Sequence, residues 1–333
     1  RFCSQIGVIL YVVNLGVRKE DLDYYYDDRF LIFSGMGDVH IHAREDVTGK
    51  NNYKENFYSA SEAAIQGGVT YACDMPNNPK APIDESSYKE KLELIDSSLI
   101  PLFLYAGIAP GTKPLKYSVP YKLYMAPSVG ELYFKDRQEI EKALKNYVGE
   151  WVSFHCEDAE MLQAKNHESN HYKRRPIEAE LMATEIAIKM IEKYELKGKL
   201  CHFSAASGLK AIREGRNKGL SIQAEVTPQH LYFSCDELSK EKRHLFQMNP
   251  PLRGNQDRDA LREALLKGEI DYLATDHAPH TFEEKQKGIS GLTGLDTYGS
   301  FVTWLIGELK VSPQTIARVS CENPGQFISN FLP

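Results

Sequence analysis

Residues 38–45 read DVHIHARE. Asp38, His40, His42 and Arg44 alternate with Val39, Ile41 and Ala43. A strand sends alternate side chains to opposite faces, so the polar four share one face and the apolar three the other. Two imidazoles then point the same way, about 6.7 Å apart along the strand. An ordinary half-buried strand turns its apolar face inward and its polar face to water. With 10 His in 333 residues, an HxH pair arises by chance about 0.3 times per chain, so the pair alone decides nothing. The surrounding chain has to show which face is inside.

Downstream of residue 36, short β-type runs alternate with helical stretches. The strand candidates are 37–42, 69–75, 102–108, 121–125, 151–157, 199–204, 221–227 and 271–277. Between them lie amphipathic stretches at 58–68, 86–98, 137–147, 177–196, 209–219 and 258–268, with apolar residues recurring at the helical period. Eight strands alternating with helices predict an α/β fold, a (β/α)8 TIM-type barrel. Two connections are irregular: PGTKPLKYSVP after the third strand has no evident helix, and a long segment precedes the helix at 258–268. In a barrel, Val39, Ile41 and Ala43 pack under helices, while His40 and His42 face the interior near the carboxyl rim, where such folds place chemistry.

Residues 1–33 read as strands of a small accessory β domain, and 34–333 as the barrel. No strand near Phe331-Leu332-Pro333 completes that domain, so it is expected to be incomplete here. The start at Arg1 rather than Met is read as a trimmed N-terminus. The apolar run GVILYVVNLGV at 7–17 is far too short to cross a membrane, and RKEDLDYYYDD follows it instead of a small-residue cleavage site.

The composition, 42% hydrophobic and 26% charged, suits a soluble protein with a sizeable core. A formal charge of −6 and a pI near 6.0 argue against nucleic-acid binding, which wants a basic stripe. The run KRR at 173–175 is isolated and reads as surface or site-lip charge. Six cysteines without a CxxC pair are no disulfide framework and fit a reducing, cytoplasmic setting.

Other unusual residues collect at the same rim. Lys122 lies in the fourth strand candidate, His155 in the fifth and His202 in the sixth, each flanked by apolar residues, and Asp276 in the eighth, after the apolar Tyr272, Leu273 and Ala274. A buried polar ring wants a compensating cation, and four His with one Asp from four strands suit a divalent metal. Lys122 has two readings. It pairs with a rim carboxylate, or burial keeps its amine neutral and CO2 converts it to a carbamate able to bridge two metals.

The motifs DVHIHAR, CDMPNNP, YKLYM, SFHCED, RRPIEAE, CHFSAASG, EVTPQHL, MNPPLR, ATDHAPH and SGLTGLDT stand in the order seen in dihydroorotases of the amidohydrolase superfamily. The chain resembles that family over about residues 34–330. The resemblance implies two zinc ions bridged by carboxylated Lys122 and a hydroxide. One metal takes His40, His42, Lys122 and Asp276, and the other Lys122, His155 and His202.

Dihydropyrimidinases, hydantoinases and allantoinases share that centre, so the substrate must be told from other residues. Dihydroorotate carries a carboxylate that needs cationic or donor partners. The resemblance assigns Arg44, Asn77 and His280 to that carboxylate and the ring, and Asn249 to the ring. Read singly, Arg44 is also a structural ion-pair residue, and Asn77 and Asn249 turn formers beside Pro76 and Pro250. Ser128 is the candidate in a loop expected to close over substrate, and His230 reads as a core or supporting histidine. The implied reaction is reversible hydrolysis of dihydroorotate to N-carbamoyl-L-aspartate in pyrimidine synthesis. Asp276 takes a proton from the hydroxide and passes it to the leaving nitrogen. A different cyclic amidohydrolase is the alternative, and a metal-free scaffold protein the non-enzymatic one. The expected partner is a small-molecule substrate, with no nucleic acid and no membrane; the resemblance also allows a homodimer.

Overall fold

The computed structural model describes residues 31–127 and 132–332. The accessory β segment expected at 1–33 falls almost wholly outside them, as does Ser128. The strands are β1 (Met36–Ile41), β2 (Val69–Asp74), β3 (Leu102–Leu104), β4 (Ala106–Gly107), β5 (Tyr121–Tyr124), β6 (Trp151–His155), β7 (Lys197–Leu200), β8 (Ile222–Val226) and β9 (Tyr272–Leu273). They form two parallel arrays, β1-β2-β3 and β4 through β9 in chain order. Only Tyr105 separates β3 from β4, and its N–H donates to the Asp74 carbonyl at 3.0 Å. The pair therefore serves as one stave.

The ring closes between the chain after β9 and β1. His42 N donates to His277 O at 2.7 Å, Ile41 and His277 form a parallel bridge, and Thr275 donates its N–H and hydroxyl to the Asp38 carboxylate. The result is the eight-stave barrel. Helices occupy five of the six predicted stretches closely: Phe57–Gln66, Glu85–Leu92, Arg137–Leu144, Ile177–Lys193 and Leu209–Asn217. The sixth begins three residues early, at Asn255–Leu266. Side-chain caps fix several starts. Asn56 and Asp84 close capping boxes, and Asp136 accepts from Glu139 N.

The long helix Ile177–Lys193 shows how packing sets the site. Ala179, Ala183, Ala187 and Ile191 recur on its buried face. Its buried Glu180 accepts from Ser204 N at 2.7 Å and pairs with Arg253 at 3.0 Å. That carboxylate ties down the segment just after His202.

Three differences from the sequence reading matter. A register shift between Asp38 and Ile41 interrupts the alternation in β1. Ile41 and Ala43 pack with Phe57 and Ala60 as expected, but Val39 joins Tyr105, Tyr272 and Phe327 in a separate cluster. A bulge of this kind re-aims side chains. His202 and Asp276 were placed in strands, yet β7 ends at Leu200 and β9 at Leu273. Both have positive φ, 36° and 49°, a conformation no strand contains. Finally, the helices Tyr298–Gly307 and Asn323–Ser329 were not anticipated.

Candidate active site

A cleft of about 410 Å³ opens at the carboxyl ends of the strands, lined among others by His40, His42, Asp276, His155, His202 and Arg44. Arg44, with φ 64°, joins His202 and Asp276 in the left-handed region. Such backbone costs on the order of 1–3 kcal/mol per residue and collects where a side chain must be aimed.

His40, His42 and Asp276 bring ligand atoms within 4.8 Å of one another. The Asp276 carboxylate lies 3.2 Å from His40 Nε2 and 2.9 Å from His42 Nε2. The other ring nitrogens are spoken for. His40 Nδ1 is 2.7 Å from Glu225 Oε1, and His42 Nδ1 is 2.7 Å from Asn77 Oδ1. Both partners accept only, so each imidazole donates from Nδ1 and turns the Nε2 lone pair toward Asp276. Across the mouth, His155 donates Nε2–H to Glu157 at 2.8 Å. Its Nδ1 then faces His202 Nε2 at 3.0 Å. His40 and His202 connect the two groups, with ring centroids 5.2 Å apart.

Lone pairs and a carboxylate aimed at one another need a positive charge between them. A proton on His40 supplies one: burial opposes it, but Glu225 and Asp276 hold its pKa up at about 10. His42 offers no such remedy, since burial, Arg44 and His40 push it down to about 4. Burial, His155, Lys122 and His40 push His202 well below its ordinary value. Burial also lowers His155. Asp276 is buried, yet His40 and His42 keep its pKa well below the usual carboxylate range. Neutral His42, His155 and His202 with an ionised Asp276 are the protonation states that metal ligation requires, and a cation would take the place of the His40 proton. The donor set fits a divalent cation.

Lys122 is fully buried and lies close enough for its charge to act on His40, His155 and His202. Its Nζ is 2.9 Å from Cys201 Sγ and 5.2 Å from the Tyr124 ring centroid. Among the described residues it pairs with no carboxylate, which removes the first reading of this lysine.

On the rim, Arg44 Nη2 meets His280 Nε2 at 3.2 Å, and Arg44 Nε donates to Pro279 O at 3.3 Å. His280 Nδ1 lies 3.0 Å from Glu284, which also pairs with Lys54 at 3.0 Å. Burial, Arg44 and Lys54 push His280 down to about 4. Gly291, at φ 140°, packs against this imidazole; a Cβ there would fall 2.8 Å from His280 Cδ2 and 2.5 Å from Ala278 O. Asn77 lines the cleft, with its oxygen engaged by His42. Asn249 also lines it, and its Oδ1 is buried without a hydrogen-bond partner.

Nine of the ten predicted residues thus line one cleft; Lys122 does not line it, but is buried within range of His40, His155 and His202. Sequence reasoning missed Glu157, Glu225 and Lys54, and read Arg175 only as part of the KRR run of surface or site-lip charge; it lines the cleft. Arg175 Nε donates to Glu157 Oε1 at 2.9 Å, behind His155. The available signal was an acid amid apolar neighbours, as Glu225 stands between Ala224 and Val226.

Residues 31–329 match the amidohydrolase family. The chain belongs to that family. Among curated relatives of this amidohydrolase, the dihydroorotase of Pyrococcus furiosus is 34% identical over 313 residues, covering 94% of this chain and 70% of the relative. The dihydroorotase of Fusobacterium nucleatum is 33% identical over 318 residues, with 88% and 72% covered. Among solved structures, the L-hydantoinase (dihydropyrimidinase) of Arthrobacter aurescens superposes with a TM-score of 0.77 at 21% identity, covering 91% of this chain and 75% of that one. The dihydropyrimidinase of Brevibacillus agri gives 0.76 at 21%, with 89% and 71% covered. At that identity the likeness speaks for the fold. Membership of the family implies a metal cofactor, in agreement with the donor set. No helix among the described residues is long and apolar enough to cross a membrane.

Proposed function

We propose that this amidohydrolase is a dihydroorotase, opening the cyclic amide of (S)-dihydroorotate to N-carbamoyl-L-aspartate and closing it in the biosynthetic direction. The observation that carries the substrate is the Arg44–His280 contact, with Lys54 behind it, on the rim of the His/Asp cluster. A cationic, buried rim suits a ring bearing a carboxylate, and the curated relatives, both dihydroorotases, point the same way.

Two zinc ions fit the two groups of donors: His40, His42 and Asp276 for one, His155 and His202 for the other, with Lys122 serving both. For that, the Lys122 amine takes up CO2 and releases a proton, becoming a carbamate. Bound metals supply an acidified water and a polarised carbonyl at neutral pH. The rest falls to the protein. Asp276 accepts the proton of the attacking water and returns it to the leaving nitrogen. Arg44 and His280 hold the carboxylate, Asn77 fixes His42 beside it, and the unpartnered Asn249 Oδ1 accepts from a ring N–H. Glu225 and Glu157 orient His40 and His155.

The alternative left open by the sequence is a hydantoin or dihydropyrimidine substrate without a carboxylate, because related cyclic amidohydrolases share the same ligand set. A panel of dihydroorotate, dihydrouracil, hydantoin and allantoin, given to purified protein, separates the two. Turnover of dihydroorotate alone supports the proposal; preference for an uncarboxylated ring overturns it. The free cysteines among the described residues, Cys73, Cys156, Cys201, Cys235 and Cys321, suit a cytoplasmic setting. A homodimer is tested by sedimentation.

A further inference from the structure

Glu225 is fully buried and has no access to the cleft. Its Oε1 accepts from His40 Nδ1 at 2.7 Å and also from the backbone N–H of His202 at 2.9 Å. Its Oε2 pairs with Lys199, which is equally buried. The Lys199 Nζ stands 5.6 Å from the Tyr105 ring centroid and 5.8 Å from those of Tyr272 and Phe327. Among the described residues, Glu225 is its one carboxylate partner. The ion pair joins β7 to β8, and the Glu225 carboxylate touches two residues assigned to different metals.

The geometry points to Glu225 as a positioning residue that couples the two metal sites, with Lys199 as its anchor. This rests on the binuclear reading given above. One carboxylate oxygen sets the ring of His40, which serves the first site, and the backbone of His202, which serves the second. His202 needs such a hold because its φ of 36° is not maintained by a strand ladder. Glu157 supplies the contrast. Besides Arg175 it reaches His155 alone among the proposed ligands, so its influence stays with one site. An orienting partner of this kind is worth roughly 10–100-fold in metal affinity.

The alternative is that the Lys199–Glu225 pair merely fills the floor. A buried pair exchanged for apolar residues of similar volume is often neutral or stabilising, whereas removing one member leaves a buried charge. The informative variant is therefore the double exchange Lys199→Met with Glu225→Met, beside Glu157→Gln and the unaltered protein. Each is stripped, folded state is checked by thermal melting, and zinc is titrated in a metal buffer with bound metal counted by mass spectrometry. The unaltered protein should bind two equivalents. The double variant should melt cooperatively yet bind both equivalents roughly 10–100-fold more weakly, while Glu157→Gln weakens one. Two equivalents bound with unchanged affinity by a folded double variant overturns the inference, as does weakening at one site only. If that double variant fails to fold, Lys199→Leu with Glu225→Leu, which likewise removes both charges and the acceptor oxygens, decides by the same count. Fewer than two equivalents in the unaltered protein overturns the binuclear reading itself, and the coupling with it.

Discussion

His155 Nδ1 and His202 Nε2 face each other at 3.0 Å, from strand ends 47 residues apart. Glu157 fixes the His155 proton on the far nitrogen, and His202 Nδ1 is buried without a partner. Without metal, His202 Nε2–H can donate to His155 Nδ1; a cation between the rings would replace that one bond with two ligand bonds, so metal should stabilise the fold itself. A ligand at 100 times its dissociation constant contributes about 2.7 kcal/mol per site, which in a chain of this size raises Tm by roughly 4 °C per site. Chelation followed by calorimetry should show that fall, and added zinc should reverse it. Equal melting of metal-free and metal-loaded protein would mean that these imidazoles do not share a cation.

Asp276 touches both His40 and His42 from a backbone of φ 49°. Asp276→Ala removes a proton carrier while leaving the ring closure intact, since the bonds of Thr275 and His277 to β1 do not use its side chain. The expected result is a circular dichroism spectrum like that of the parent and a turnover lower by about 10²-fold or more. Near-normal rates would remove Asp276 from the chemistry.

The barrel was legible because its signal is redundant. Many β-type runs and helical stretches had to agree, and a boundary error of two residues in any one does not change the topology. His40, Lys122 and His155 were legible for a related reason: they sit inside strands, where a polar residue between apolar ones is conspicuous. The backbone excursions at Arg44, His202 and Asp276 were not, because positive φ in these residues answers to tertiary packing and leaves no local pattern. The bulge that moves Val39 hid for the same reason. The helix Tyr298–Gly307 went unnoticed because YGSFVTWLIG contains no charged residue to mark a solvent face. Glu225 was passed over as one acid among many; its importance lies in two partners 185 and 23 residues away.

His230 gives a pH dependence with a definite sign. It is buried, its Nδ1 lies 2.9 Å from Thr227 Oγ1, and its Nε2 lies 3.2 Å from Pro250 O. Burial pushes its pKa down from 6.5 to about 4. Between those values the unfolded chain binds more protons than the folded one, so stability falls as pH drops from 6.5 toward 4. His230→Gln should be less stable at pH 7 but lose less on acidification, its slope against pH smaller by up to about 1.4 kcal/mol per unit. Urea unfolding from pH 7 to pH 4.5 checks this. Parallel curves for parent and variant would show that His230 does not titrate in that window.

Arg44 and His280 form the part of the site that separates a carboxylated ring from a plain one. The Arg44 guanidinium is held at Pro279 O and His280 and is largely buried, so it meets a ligand already oriented. Arg44→Met keeps an unbranched stem of similar reach and removes the charge. A lost charge-assisted hydrogen bond is worth about 1.5–3 kcal/mol, or roughly 10–100-fold in kcat/KM. Because the carboxylate is the same in ground and transition states, most of the loss should appear in KM for dihydroorotate. Dihydrouracil, lacking the carboxylate, should be turned over no worse than by the parent. If both substrates suffer alike, Arg44 acts by holding the rim in place, and recognition of the carboxylate passes to Lys54 and Asn77.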